Sequence, residues 1–461
     1  MNETQKFYRE FLKTKQIVNK PIGFKINEND INPILFDHQK DAVLWSLKNG
    51  TALNAFDVGL GKTGIQLEWC RILSEHFNKP ALILTPLGVS FQMKKEAEEL
   101  LNIEAKIIKE KNDIINGVNI TNYEKLHKFD RNSFICLAVD ESSIIKNFAG
   151  KFKKQLIDFS KNIKYKISLS ATPSPNDFTE IGNQSEFLDI MDYNEMLSCF
   201  FINDTKNTTK KWRLKKHAKK DFYLWLSSWA LMVRKPSDLG YSDEKYDLSD
   251  INYIEHCFDK SNDSFLTQDL AKGLNEVRKI NRETMNDRCC VASDIVNNSN
   301  ETFMIWCNLN DEADILKKEI KDCVEVRGSH SNEFKEEAII AFLEGKIKRL
   351  VSKSKIFGFG INAQYVCNNA VYVGLNYSME MLYQSIKRIH RFGQTKDVNI
   401  HLIYSEREGN VLNSLKNKQR NFDDMHNEMK CLINIKEQFE FNLYKKDKIS
   451  YNNKIILPKF I

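Results

Sequence analysis

Short apolar runs alternate with amphipathic stretches through most of the chain. Thr51–Phe56, Ala81–Thr85, Asn119–Thr121, Ile135–Val139 and Lys166–Ser170 are compact and apolar, the pattern of strands buried on both faces. Between them, Gln66–Phe77 and Phe91–Leu101 carry the spacing of helices. From about Ile181 to Asn300 the texture turns rich in Lys, Asp and Asn, with aromatic pieces such as Phe222–Val233 that read as helix. The first rhythm then resumes: Thr302–Cys307, Val324–Arg327, Arg349–Ser352, Ala370–Gly374 and Asn399–Ile403 read as strands separated by helices.

Strands that alternate with helices predict parallel sheets covered on both sides. The expected fold class is therefore α/β, with two tandem doubly wound domains and a helical, basic connection between them. The expected division is 1–235 for the first domain with a helical extension, 236–300 for the connection, 301–440 for the second domain and 441–461 for a tail. No internal repeat of solenoid period is present.

Composition narrows this little. The chain has 461 residues, 42% of them hydrophobic, enough for two or three cores and too much for a disordered protein. No apolar run is long enough to cross a bilayer, and Met1–Glu10 lacks the apolar stretch of a secretory signal, so a cytoplasmic protein is expected, with no membrane partner. Its 10 cysteines are scattered without a C-x-x-C pair, which favours reduced thiols over zinc. A net charge of +6 is mild. The stretch from Lys206 to Lys220 is not, with eight Lys or Arg around one Trp. Lys211, Trp212, Arg213, Lys215 and Lys216 can line a phosphate backbone with the indole available for stacking, or simply form a solvated face.

The chemistry lies in four segments. Asp57-Val58-Gly59-Leu60-Gly61-Lys62-Thr63-Gly64 falls between a strand and a helix, where glycines let backbone N–H groups wrap phosphate oxygens. Lys62 would reach the β- and γ-phosphates, and the Thr63 hydroxyl would ligate magnesium. Phe56 stands where the pattern G-x-x-x-x-G-K-[ST] has its first glycine. Asp140 and Glu141 close an apolar strand, so Asp140 can hold magnesium and Glu141 can polarise the attacking water. Ser170-Ala171-Thr172 follows the next strand, where hydroxyls can link the carboxylates to a domain interface. Far downstream, Gln384, Arg388 and Arg391 share one helical face. An arginine stays protonated and donates in a fork, which suits it to charge developing on a γ-phosphate.

In order, these segments resemble the helicase motifs of superfamily 2, specifically its SWI/SNF-like branch. Gln384-Ser-Ile-Lys-Arg388-Ile-His-Arg391-Phe-Gly-Gln394 is the distinctive element. The likeness runs from about Ile34 to Tyr404 and implies tandem RecA-like domains, with ATP and magnesium as cofactors. It further implies that Gln39, in Phe36-Asp37-His38-Gln39, reads adenine. Thr85, Thr121 and Asn122 would touch a nucleic-acid backbone, and Gly360 would lie in the Gly-rich motif joining nucleotide to DNA. The carboxylate motif departs from the usual pattern, reading D-E-S-S through Ser142 and Ser143. With no long insertions, the chain also resembles compact DEAD/DEAH-like helicases of bacteriophages and mobile elements.

The expected function is an ATP-dependent motor on nucleic acid, with duplex DNA favoured over single-stranded or forked DNA and translocation favoured over strand separation. The alternatives are a nucleotide-gated DNA clamp and the motor subunit of a defence or restriction complex. Replication, recombination or defence proteins are the partners such a motor implies.

Overall fold

A computed structural model describes residues 19–86, 89–146, 150–203, 212–244, 246, 248–258, 274–357 and 362–444. Its strands in chain order are β1 Thr51–Phe56, β2 Ala81–Thr85, β3 Ala105–Ile107, β4 Val118–Asn122, β5 Cys136–Val139 and β6 Tyr165–Leu169. A hairpin of β7 Phe201–Asn203 and β8 Trp212–Leu214 follows, then β9 Ala230–Val233. Beyond them lie β10 Ile251–Phe258, β11 Phe303–Cys307, β12 Cys323–Val326, β13 Arg349–Ser352, β14 Asn369–Val373 and β15 Val398–Ser405.

Two wholly parallel sheets result, in the orders β3-β4-β2-β5-β6-β1-β9 and β10-β15-β14-β11-β13-β12. Alternate residues of each central strand enter different cores. Ala81 and Ile83 of β2 pack on one face while Leu82 and Leu84 pack on the other. In β11, Met304 and Trp306 face one core and Phe303, Ile305 and Cys307 the second. Burial on both faces is why these strands are continuous apolar runs in the sequence. The expected α/β class, two tandem doubly wound parallel-sheet units, is what the chain adopts.

Three stretches differ from their sequence reading. Phe222–Val233 is not one helix: Lys219–Ser227 is helical, and Ala230–Val233 then enters the first sheet beside β1. No Gly or Pro marks that change, and the buried apolar residues Phe222, Trp225 and Leu226 run on into the buried Ala230–Val233. Ile251–Phe258, read as part of the connection, pairs with β15 along its whole length as an edge strand. Its residues are mostly exposed, so burial imposed no apolar pattern on it. Of the basic run, residues 206–211 lie outside the described residues. Trp212–Leu214 forms the hairpin strand, and Trp212 packs partly buried against the first core.

A further unexpected feature is the helix Gly409–Tyr444. It starts in the second sheet's core through Val411, Leu412 and Leu415. Further along, Met425 and Met429 are fully buried in the core of the first. Polar contacts fix the same end: Asp238 meets His426 Nε2 at 2.9 Å and Lys430 Nζ at 2.7 Å, and Arg234 meets Asp423 at 2.6 Å. One helix is thus anchored in both sheets' cores. Among the described residues, no helix is long and apolar enough to cross a membrane.

Two tests follow for this anchor. Met425→Ala leaves a cavity at a fully buried site and should cost about 2–5 kcal/mol in urea unfolding. Burial raises the Asp238 carboxyl, but His426 and Lys430 outweigh it and hold the group below its ordinary range. Its stabilisation is therefore full above the ordinary carboxylate pKa and is lost as pH falls through the lower folded-state value. Asp238→Asn should lower the unfolding midpoint at neutral pH, and the gap from the parent protein should narrow in acid.

Candidate functional site

The loop after β1 is built on glycines. Gly59 has φ +94° and Gly61 φ +79°, left-handed conformations that glycine adopts without a steric penalty. Gly61 caps the helix Lys62–Phe77 at its N-terminus, so free N–H groups and the positive end of the helix face the loop's hollow. Lys62 Nζ folds back onto the carbonyls of Phe56 at 3.0 Å and Asp57 at 3.3 Å. Thr63 is half-buried in the first helical turn, and Gly64 packs close to Leu35, where a Cβ would lie 2.9 Å from Cδ2. Gln39 buttresses the loop: its Nε2 donates to Leu60 O at 3.2 Å while its Oε1 accepts from Phe36 N at 3.1 Å. Gln39 and the loop are therefore one unit, and the side chain is committed to backbone in this state.

The carboxylates stand at the end of β5, next to β2. Asp140 is 7% exposed and accepts from the Thr85 hydroxyl at 3.2 Å. Burial and the neighbouring charge of Glu141 push its carboxyl up to about 7, against the pull of Lys62 and Thr85. Glu141 has φ +48°, a left-handed backbone at a residue with a side chain. Such strain costs on the order of 1 kcal/mol and collects at functional sites. Ser142 is locked by Gln184, whose Nε2 donates to both its carbonyl and its hydroxyl. That hydrogen bonding occupies the first serine of the D-E-S-S variant. Ser170 and Thr172 are buried behind the site, with Thr172 N donating to Ser170 Oγ at 3.1 Å.

Across the cleft stands the helix Met379–Ile386, from the second sheet's unit. Gln384 Nε2 meets Glu141 Oε2 at 3.5 Å, a long contact. Arg388 is 7% exposed, and burial pulls its guanidinium down to about 10 even though the charge of Glu141 opposes the shift. Arg391 donates to Asn362. Gly360 lies outside the described residues, as does Lys211.

A divalent cation fits this arrangement. Asp140 is buried beside the charge of Glu141, and these two effects outweigh the pull of Lys62 and hold its carboxyl above the ordinary range, so a cation there would be favoured. Among the described residues, no group of three His, Cys, Asp or Glu could hold a metal alone. Magnesium commonly takes one or two protein ligands and completes its shell with phosphate oxygens and water. Asp140 and the Thr63 hydroxyl are suitable protein donors.

The residues expected at nucleic acid differ in their surroundings. Thr85 and Thr121 are buried, and their hydroxyls donate inward to Asp140 and Ile108 O. Asn122 caps the next turn by accepting from Lys125 N at 3.2 Å. Lys215 Nζ donates to Ser198 O at 2.8 Å and Cys199 O at 3.1 Å, at the end of the helix Tyr193–Phe200. Arg213 and Lys216 are exposed. Of these strand-end hydroxyls, that of Thr85 braces the carboxylate site from inside, while that of Thr121 ties β4 to the backbone at Ile108.

Residues 287–393, from ahead of β11 through Arg388 and Arg391, match the helicase conserved C-terminal domain. The chain is 24% identical over 445 residues to an uncharacterised ATP-dependent helicase, YqhH, of Bacillus subtilis, covering 84% of this chain and 78% of that one. It is 29% identical over 168 residues to a Caenorhabditis elegans homologue of the SWI/SNF-related regulator of chromatin subfamily A-like protein 1, covering 34% of this chain and 24% of that one. Among solved structures it is similar to the Sulfolobus solfataricus SWI2/SNF2 ATPase core in complex with dsDNA. There the TM-score is 0.43 at 18% identity, over 89% of this chain and 97% of that one.

The loop geometry makes a direct prediction. A Cβ on Gly61 would lie 2.0 Å from Gln39 Nε2, and its φ is unfavourable for alanine by about 1–2 kcal/mol. Gly61→Ala should weaken binding of a fluorescent ATP analogue by about tenfold or more. Unchanged affinity would mean that the loop does not hold phosphate.

Proposed function

We propose that this enzyme, an ATP hydrolase of the helicase kind, is a motor that couples hydrolysis between its two sheets to movement along duplex DNA. The observation that carries the reading is the contact of Gln384 with Glu141 at 3.5 Å, with the buried Arg388 four residues on and within reach of the charge of Glu141. A carboxylate suited to activating water faces an arginine supplied by the other unit, so chemistry and domain closure depend on each other.

In this reading the phosphates of ATP enter the loop, and Lys62 leaves the Phe56 and Asp57 carbonyls to meet them. Thr63 and Asp140 would hold magnesium, which would supply charge neutralisation at the phosphates. Gln39 and the glycines Gly59, Gly61 and Gly64 shape the loop. Glu141 orients the attacking water and takes its proton. Arg388, with Arg391 beside it, stabilises the charge that develops on the transferred group. The buried arginine keeps its charge even after its shift to about 10, since that value remains well above physiological pH.

DNA binding in this reading rests on phosphate contacts from exposed cations such as Arg213 and Lys216. It should therefore be insensitive to sequence and weaken steeply with salt. The relatives named as helicase and chromatin regulator, and the solved core with dsDNA, fit a duplex-tracking motor.

Steady-state ATPase with and without duplex DNA tests the proposal. Duplex should stimulate turnover. Glu141→Gln should lower kcat by about 10²–10⁴-fold, and Arg388→Ala by about 10³-fold, both with nucleotide binding retained. Turnover indifferent to every nucleic acid would point instead to a nucleotide-gated clamp. Full activity in Glu141→Gln would remove the assigned chemistry. Triplex displacement without fork unwinding would distinguish a translocase from a strand-separating helicase.

A further inference from the structure

The helix Met379–Ile386 and its C-cap Lys387 meet the first sheet's unit through one face. Glu380, Tyr383, Gln384 and Lys387 are spaced as neighbours on a helix surface. Glu380 pairs with Lys146, and Gln384 reaches Glu141. The other two converge on Asp57, in the phosphate loop. Tyr383 OH donates to Asp57 Oδ1 at 2.6 Å, and Lys387 Nζ lies 2.9 Å from Asp57 Oδ2. The Asp57 and Lys387 side chains are only 9% and 10% exposed.

A buried ion pair is a poor source of net stability, because desolvating both charges offsets most of their attraction. What it provides is direction: only one placement of the two elements satisfies it. Here the placement matters, since Lys387 immediately precedes Arg388 and Asp57 O accepts from Lys62. The Asp57 carboxylate also accepts from Val58 N at 2.6 Å, so it is rigidly part of the loop. Burial would raise this carboxyl, yet Lys387 and Tyr383 more than compensate and hold it below its ordinary range. Above the clasp, the Phe422 ring from the long helix stands edge-on to Tyr383 with centroids 6.0 Å apart.

We propose that Asp57, Tyr383 and Lys387 form a positioning clasp that registers Arg388 against the phosphate loop. None of the three touches the reacting atoms; each acts by fixing where the arginine arrives. The inference rests on the ATPase reading above. Movement of the loop as Lys62 turns toward phosphate would pass through Asp57 to the residue next to Arg388.

The test compares full-length Lys387→Met, Lys387→Arg, Tyr383→Phe and Asp57→Asn with the parent in steady-state ATPase, fluorescent ATP-analogue binding and thermal unfolding. Lys387→Met should lower kcat by roughly 10- to 100-fold, the effect of misplacing a catalytic group. Its KM and analogue affinity should stay within about twofold. Lys387→Arg should recover most of the rate, and Asp57→Asn should add little to Lys387→Met, since both break the same contact. Tyr383→Phe, which removes one hydroxyl and is safe for folding, should lower kcat by about threefold or more.

If Lys387→Met and Tyr383→Phe keep parental kcat, the clasp does not position the arginine. A rise in KM that accounts for the whole loss overturns it as well, because the residues would then contact nucleotide. Loss of rate in step with loss of thermal stability, unrescued by arginine, would reduce the cluster to packing. An inactive parent with Arg388 intact would instead refute the ATPase reading itself.

Discussion

A pair of carboxylates at the end of β5, Asp140 buried and Glu141 half-buried, sets the terms for everything around it. Asp140 is buried beside the charge of Glu141, and the pull of Lys62 does not offset the two effects together. Such charge is tolerable only where compensation can arrive, and the architecture brings it from three directions. The loop after β1 offers Lys62, the pair itself is suited to a divalent cation, and the second unit brings Arg388. The left-handed backbone of Glu141 belongs to the same constraint, as strain held in place by the sheet behind it.

Much of the fold is legible in the sequence because its central strands are buried on both faces. Burial forces continuous apolar runs such as Ala81–Thr85 and Ala370–Val373, and the helices between them force a parallel order. Legibility fails where that pressure is absent or uniform. Ile251–Phe258 is exposed, so its strand character lies in backbone pairing with β15. Ala230–Val233 continues the apolar stretch that begins at Phe222 in the helix before it, with no charged residue, Gly or Pro between the two. The bracing helix Gly409–Tyr444 serves both cores, and Met425 and Met429 do not announce which one they enter.

The site divides along the same line. Phosphate-loop glycines and strand-end carboxylates are local patterns, and local patterns can be read from spacing. The contact of Asp57 with Tyr383 and Lys387 joins residues more than 300 positions apart, and no local signal carries such a pairing. Strand-end hydroxyls show the converse. Thr85 and Thr121 lie in segments whose resemblance led to an expectation of nucleic-acid contact, and their hydroxyls turn inward to Asp140 and Ile108. A motif gives the place of a residue in the chain, while burial decides which partner it meets.

The central claim is that the reaction site is divided between the two sheets and is completed by Arg388. Trapping with ADP and aluminium fluoride, which together imitate the transferred phosphoryl group, tests it most directly. The account predicts that the parent protein retains ADP stably when fluoride and duplex DNA are present. Arg388→Ala should bind ADP as tightly as the parent and fail to trap the complex. Equal trapping by both would contradict the account, because the first unit alone would then hold everything the transition state requires.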